Sequence, residues 1–276
     1  DRPGRDRGTG VVTPGRRVAR VVAPLLLGLA VLAGWEAAVA AWAIPPYVLP
    51  GPVLVARTIV SEWSGLAAAT WVTLGITAMA LAAAVVLGVA LAVVFAQSRW
   101  IEDALFPYAV VLQVTPVVAI APLVIIWTKD VVVALLVCAW IVAFFPILSS
   151  TTLGLRAADR NLVDLFRLNG ASRMQTLLRL RLPAALPYFF AGLRVSGGLA
   201  LIGAVVAEFV AGTGGSASGL AYVILEAGFR LQIPKMFAAL ALVSAIGIAI
   251  FRLLGLAARL ALRRWHETAG AGEDEE

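Results

Sequence analysis

The sequence predicts an all-α integral membrane protein with six transmembrane helices and one cytoplasmic helical hairpin. Three observations predict it. The chain is 61% hydrophobic over 276 residues, with a mean hydropathy of +0.95, well above a soluble domain's apolar share. Its apolar residues gather into six runs, each near the roughly 20 residues a helix needs to cross the hydrocarbon core. Its arginines crowd into some of the intervals between those runs and avoid others. A membrane β-barrel would need short alternating segments, whereas these runs are continuous and rich in Ala, Leu and Val.

Taken in order, residues 1–17 are rich in Gly and Arg and read as a disordered basic cytoplasmic tail. The first span is Val21–Trp42. Small residues in "AVAAWA" resemble a signal cleavage site, but the run is long for a signal and five spans follow, so a retained helix is expected. Prolines 45, 46, 50 and 52 then forbid a continuous helix. From Val53 onward, Val53, Leu54, Ala56, Ile59, Val60 and Trp63 recur at helical spacing, opposite Arg57, Ser61 and Glu62. That pattern predicts a short amphipathic helix on the outer membrane surface.

The second and third spans, Leu66–Phe95 and Leu105–Trp127, are joined by a short inner loop. The third contains Pro107, Pro116 and Pro122, whose freed backbone groups are tolerable only beside protein or a watery cavity. "TKD", residues 128–130, is a tight outer turn into the fourth span, Val131–Ser149. That span holds the sole cysteine, Cys138, expected as a small core residue. In the fifth span, Phe189–Ala211, the pairs Gly192/Ser196 and Gly203/Ala207 stand four apart, which suits close helix contact. "GTGGSASG", residues 212–219, lacks the lysine of a phosphate-cradling loop. It reads as an outer connector or a contact surface for an external protein. The sixth span, Met236–Leu262, leads to an acidic solvated tail, 266–276. The tail's His266 is the only histidine, so no metal site is expected. The membrane domain is thus 18–265.

Charge gives the orientation. Sixteen Lys and Arg residues fall on the side of both termini and four, Arg57, Lys129, Arg230 and Lys235, on the other. Cytoplasmic loops hold the excess of positive charge, so both termini are expected in the cytoplasm. The net charge of +6 therefore marks orientation in a lipid bilayer and not a nucleic-acid footprint.

The interval 154–187 cannot span. Arg156, Arg160, Arg167, Arg173, Arg179 and Arg181 would cost about 15 kcal/mol or more at helix centres. Leu162, Leu165, Phe166 and Asn169 share a face of a first short helix, and Asn169-Gly170 supplies a stop. Ser172 and Gln175 form a capping box before Met174, Leu177, Leu178 and Leu182. Pro183 is expected to close this second helix. The result is a bent, arginine-flanked hairpin with apolar residues to cover.

This spacing resembles the "EAA" loop of permease subunits of bacterial ATP-binding-cassette importers: E-A-A, three residues, G, nine residues, I, one residue, L-P. Asp164-Leu165-Phe166 occupies the first slot, Gly170 the glycine, Leu180 the isoleucine and Leu182-Pro183 the last pair. "LPGP" (49–52), "QVTPVVAIAPLVIIW" (113–127), "FFPILSSTTLGLR" (144–156), "LPAALPYFFAGLRVS" (182–196) and "AEF" (207–209) look like the nitrate/sulfonate/taurine branch. Leu165 and Phe166 depart from the two alanines, and "WTKD" lacks a glycine usual after the aromatic.

The resemblance implies a type I importer permease fold in the bacterial inner membrane and a second copy of the chain as partner. It implies separate ATPase subunits, which would bind the ATP and magnesium, so no cofactor is expected in this chain. An extracytoplasmic solute-binding protein would deliver the cargo. It also implies that Asp164, Leu165, Phe166, Gly170, Ala171, Leu180, Leu182 and Pro183 are the ATPase-coupling positions. Gln113, Thr115, Ser196 and Glu208 are candidate substrate-pathway groups, since polar groups inside spans commonly face a cavity or a partner. A structural hydrogen bond is the alternative for Glu208, and Glu36 lies near an outer boundary. Two other classes compete. An ion-driven secondary transporter would want midplane carboxylates and internal repeats, and no convincing repeat is present. A membrane enzyme would want a cluster of catalytic side chains at one face, and the scattered carboxylates offer none.

Overall fold

Small residues decide how the helices meet. The computed structural model describes residues 14–212 and 218–270, with side chains over 22–212 and 218–263. In chain order the helices are α1 (Pro14–Ala41), α2 (Pro52–Ser61), α3 (Trp63–Gln97), α4 (Arg99–Val114), α5 (Val117–Thr128) and α6 (Val131–Arg156). They continue with α7 (Arg160–Leu168), α8 (Arg173–Thr176), α9 (Leu182–Ala211), α10 (Leu220–Phe229) and α11 (Ile233–Gly270). Between α8 and α9 the chain passes through a five-residue π-helical segment, Leu177–Arg181.

The core is α3, α6 and α9. A Cβ on Gly192 would lie 2.7 Å from the Pro146 carbonyl oxygen, and one on Gly203 would lie 2.8 Å from the Ala139 Cα. These two helices therefore pack backbone to backbone. Ser196 is fully buried between them and donates its hydroxyl to the Ala143 carbonyl at 2.7 Å. Ala207 closes the same seam against Ala134, Leu135 and Cys138. The small-residue pairs read from the sequence thus make the contact expected of them. Cys138 is a buried core residue.

Among the described residues, five helices are long and apolar enough to cross a membrane. The predicted third span is not a sixth straight one: α4 and α5 meet at a bend of 101°. Pro116 lacks an amide hydrogen and disfavours the helical region for the residue before it. Thr115 accordingly adopts φ −68°, ψ 123°, and its hydroxyl falls back on the Val111 carbonyl at 2.7 Å. Pro107 and Pro122 stay within their helices.

Three other boundaries differ from the sequence reading. Helix α1 begins at Pro14, so residues 14–17 are helical, and 1–13 lie outside the described residues. Helix α11 runs to Gly270, so 266–270 continue the helix, and 271–276 lie outside. The outer interval after α9, read as a connector, contains α10; residues 213–217 of "GTGGSASG" lie outside the described residues. The turn at 128–130 is as expected, with Lys129 left-handed at φ 55° and Asp130 capping α6 through the Val133 amide at 3.1 Å.

Helix α2 forms where expected and buries a residue outside the predicted stripe. Val55, absent from the predicted apolar stripe, is its buried residue, packed with Ile59 near Ala238 and Ala239 of α11. Val53, Ala56, Val60 and Trp63 stay exposed. The helix is wedged against protein on one side and presents apolar residues on another. Glu36 of α1 pins its start: its Oε2 accepts the Val53 amide at 3.0 Å, where a helix N-terminus favours negative charge.

Candidate functional site

The hairpin is built by its turn chemistry. Asp159 caps α7 by accepting the Asn161 amide at 2.8 Å. At the other end, Gly170 takes φ +73°, a conformation glycine adopts without the Cβ penalty. Its amide donates to Arg167 O at 3.0 Å, and the Ala171 amide donates to Phe166 O at 2.9 Å. These two bonds close the helix with the paired pattern of a left-handed C-terminal stop. The capping box forms in full: the Gln175 amide donates to the Ser172 hydroxyl at 3.2 Å, and the Ser172 amide to Gln175 Oε1 at 2.7 Å.

Pro183 does not end the second helix. Helix α8, the π-helical segment and α9 form one run from Arg173 to Ala211. In the π segment the Leu182 amide reaches back five residues to Leu177 O. That widened turn carries the chain past Pro183, which sits in the first turn of α9 where its missing amide costs little. The hairpin is therefore a short helix folded back on the first turns of a membrane helix.

Its apolar residues divide. Leu177 is buried on the body of the protein, while Val163, Phe166, Leu180, Leu182 and Pro183 are half-buried. Leu162, Leu165, Leu168, Met174 and Leu178 are exposed. Leu165, Phe166, Asn169, Gly170, Ala171, Gln175 and Arg179 line one open hollow of about 450 Å³. Four of the eight sequence-predicted coupling residues, Leu165, Phe166, Gly170 and Ala171, thus share it, while Leu180, Leu182 and Pro183 lie outside it. Asp164 lies on the opposite side of α7, exposed, in a 3.3 Å ion pair with Arg167. Exposed pairs of this kind stabilise by at most about 1 kcal/mol.

The four candidate pathway groups are not brought together. Gln113 is exposed and Thr115 half-buried beside the α4–α5 bend. Ser196 is enclosed in the α6–α9 seam. Glu208, 3% exposed, accepts the Thr73 hydroxyl at 2.8 Å and the Ala221 amide at 3.0 Å, while Thr73 in turn accepts the Leu220 amide at 2.9 Å. This carboxylate joins α3 and α9 to the start of α10, and Gly219 leaves the room for it.

Several contacts escaped the sequence reading. Glu102 is buried at the start of α4 and pairs with Arg156 at the end of α6. Arg181 donates to the Ala96 carbonyl at 3.1 Å, tying the hairpin to α3. Arg194 lies inside α9 with its guanidinium 4.3 Å from the Phe251 ring centre. Opposite charges at two ends of the inner face were the available signal for Glu102 and Arg156; no sequence pattern announces the other two.

Residues 84–264 match the family model described as "Binding-protein-dependent transport system inner membrane component". The chain is 36% identical to the riboflavin transport system permease protein RibX of Chloroflexus aurantiacus, covering 84% of this chain and 85% of that one. It is 34% identical to a probable ABC transporter permease protein of Haemophilus influenzae, covering 84% and 93%. Further relatives are named for formylaminopyrimidine, aliphatic sulfonate, nitrate and taurine transport. The crystal structure of an amino acid ABC transporter with histidines aligns with a TM-score of 0.59 at 16% identity, covering 75% of this chain and 97% of that one. That likeness is one of fold.

Proposed function

This chain belongs to the family of binding-protein-dependent transport system inner membrane components, and from that premise we propose how it is driven. It is a membrane-spanning ABC importer permease of the nitrate/sulfonate/taurine branch. In the reading proposed, two copies form the pathway for a small solute handed over by an extracytoplasmic binding protein. A separate ATPase subunit grips the hairpin 154–187 from the cytoplasm, where both termini also lie. ATP and magnesium belong to that partner.

One observation supports the coupling assignment most. The hairpin is closed by local hydrogen bonds at its turns yet leaves Leu165, Leu168 and Met174 exposed, with Leu165 at an open hollow. A cytoplasmic segment that is ordered but apolar on its outer side is a surface for another protein. Leu165, Phe166, Gly170 and Ala171 would sit in the partner's groove, with Asp164 at its edge. Leu180, Leu182 and Pro183 would join the lever to α9, so that movement of the hairpin turns a helix of the core. Gln113 and Thr115, beside the bend, are the pathway candidates with side chains reachable from outside the bundle, whereas Ser196 and Glu208 act by holding helices in place.

Gly170→Pro and Asp164→Arg test this reading. Proline cannot adopt φ +73° and has no amide for the Arg167 carbonyl. Both variants are expected to insert in the membrane normally, lose co-purification with the ATPase and lose solute uptake in sealed vesicles. Normal co-purification together with normal uptake in both would refute the assignment.

A further inference from the structure

On the membrane side of the hairpin lies a cleft of about 580 Å³, enclosed by the ends of α3, α4 and α6 and by α7. We propose that this cleft is a phosphate-binding site, the phosphate being that of an anionic lipid headgroup or of a free phosphate. The site is distinct from the outer hollow that faces the ATPase, and its volume lies within the range of small-ligand sites.

The charge of the cleft is the argument. Five arginines line it, Arg99, Arg156, Arg160, Arg167 and Arg181, against a single lining carboxylate, Asp164. Arg156 is neutralised by Glu102 and Arg167 faces Asp164. Arg181 uses one nitrogen on the Ala96 carbonyl. Among the described residues, Arg99 and Arg160 have no carboxylate partner. These two cations converge from different elements, α4 and α7, onto one recess. A second recess of about 270 Å³ shares Arg167 and Arg181 with it and adds Arg173. Guanidinium groups offer several donors in a planar fork that suits phosphate oxygens.

Depth points to lipid as one source. Trp100, next to Arg99, is 78% exposed at the start of α4, and exposed tryptophans mark the level of headgroups. The cytoplasmic leaflet is the anionic one, and arginines near it attract its phosphates. A headgroup held there would brace α7 against the ends of α3 and α4. This inference goes beyond the transport reading and shares with it the inner-face orientation and Asp164, which lies between the cleft and the proposed ATPase contact.

The test is native mass spectrometry of the purified chain titrated with phosphatidylglycerol, with phosphatidylcholine, and with inorganic phosphate. At about fivefold per arginine, R99Q/R160Q is expected to bind phosphatidylglycerol about 25-fold more weakly than the unmodified chain. R99K/R160K should keep most of the binding, and R259Q, outside the cleft, should keep all of it. Phosphatidylglycerol that inorganic phosphate does not displace identifies the lipid source; displacement, or phosphate binding that R99Q/R160Q loses, identifies the free one. The proposal fails if the unmodified chain retains neither probe, if R99Q/R160Q binds both undiminished, or if R259Q or R99K/R160K loses as much as R99Q/R160Q. Because the ATPase is absent from the measurement, failure here leaves the coupling reading untouched.

Discussion

Along α9 the contact with α6 is closed down to bare backbone, whereas the hairpin leading into the same helix leaves Leu165, Leu168 and Met174 at least half exposed. The two regions are a few turns apart and obey different rules. In the seam, attraction between apolar side chains offers no advantage over lipid, so association relies on close packing of small residues and on polar contacts. In the hairpin, water is the solvent, and uncovered leucines are a debt that another surface settles. Stability and partner binding should therefore separate cleanly between the two.

The largest expected effect breaks the seam. In Gly192→Val the new Cβ alone would meet the Pro146 carbonyl oxygen at 2.7 Å and the Ser150 Cβ at 2.8 Å. Overpacking typically costs about 1–3 kcal/mol and more where backbone must move. The variant should unfold well below the parent chain in a detergent melt and give poor folded yield. An unchanged melt would mean that α6 and α9 separate easily and that the seam is not what holds the core.

Next comes the outer end of α9. Glu208→Ala removes the acceptor for the Thr73 hydroxyl and the Ala221 amide, both buried. Leaving a buried donor unpaired costs about 1–3 kcal/mol. The expected result is a moderate loss of stability with faster hydrogen exchange at 219–229, while ATPase binding persists. Unchanged exchange in that segment would show that α10 is held by other contacts.

The comparison also explains which parts were legible in the sequence. Helix spans and the small-residue seam depend on composition and local spacing, so Gly192/Ser196 and Gly203/Ala207 could be read directly. The turn chemistry of Gly170 and the Ser172–Gln175 box is local as well. Pro183 misled because the usual rule assumes an α-helical turn before it, and the π-helical step at Leu177–Arg181 removes that assumption. Pro116 alone of the prolines in the third span breaks it, and the sequence holds no feature that singles it out from Pro107 and Pro122. Glu208 stayed ambiguous because its partners, Thr73 and Ala221, lie 135 and 13 residues away. Val55 was missed because its neighbour α11 comes much later in the chain.

The smallest stability effect belongs to the hairpin and sharpens the contrast most. Leu165 is 50% exposed, so Leu165→Ala removes atoms that are largely in water already, and a surface change of this kind shifts stability by about 0.5 kcal/mol or less. Its carbonyl still accepts the Asn169 side-chain amide, because that bond uses backbone. The turn at Gly170 should survive for the same reason. If Leu165 is an anchor in the ATPase groove, however, its truncation removes a central contact of the kind that costs 2 kcal/mol or more, about thirtyfold in affinity. The melt and the affinity for the ATPase should then move independently: the first unchanged, the second sharply weaker. A variant that melts normally and binds normally would show that the groove closes on Leu168 and Met174 instead, at the tip of the hairpin and not along the Asp164–Phe166 turn.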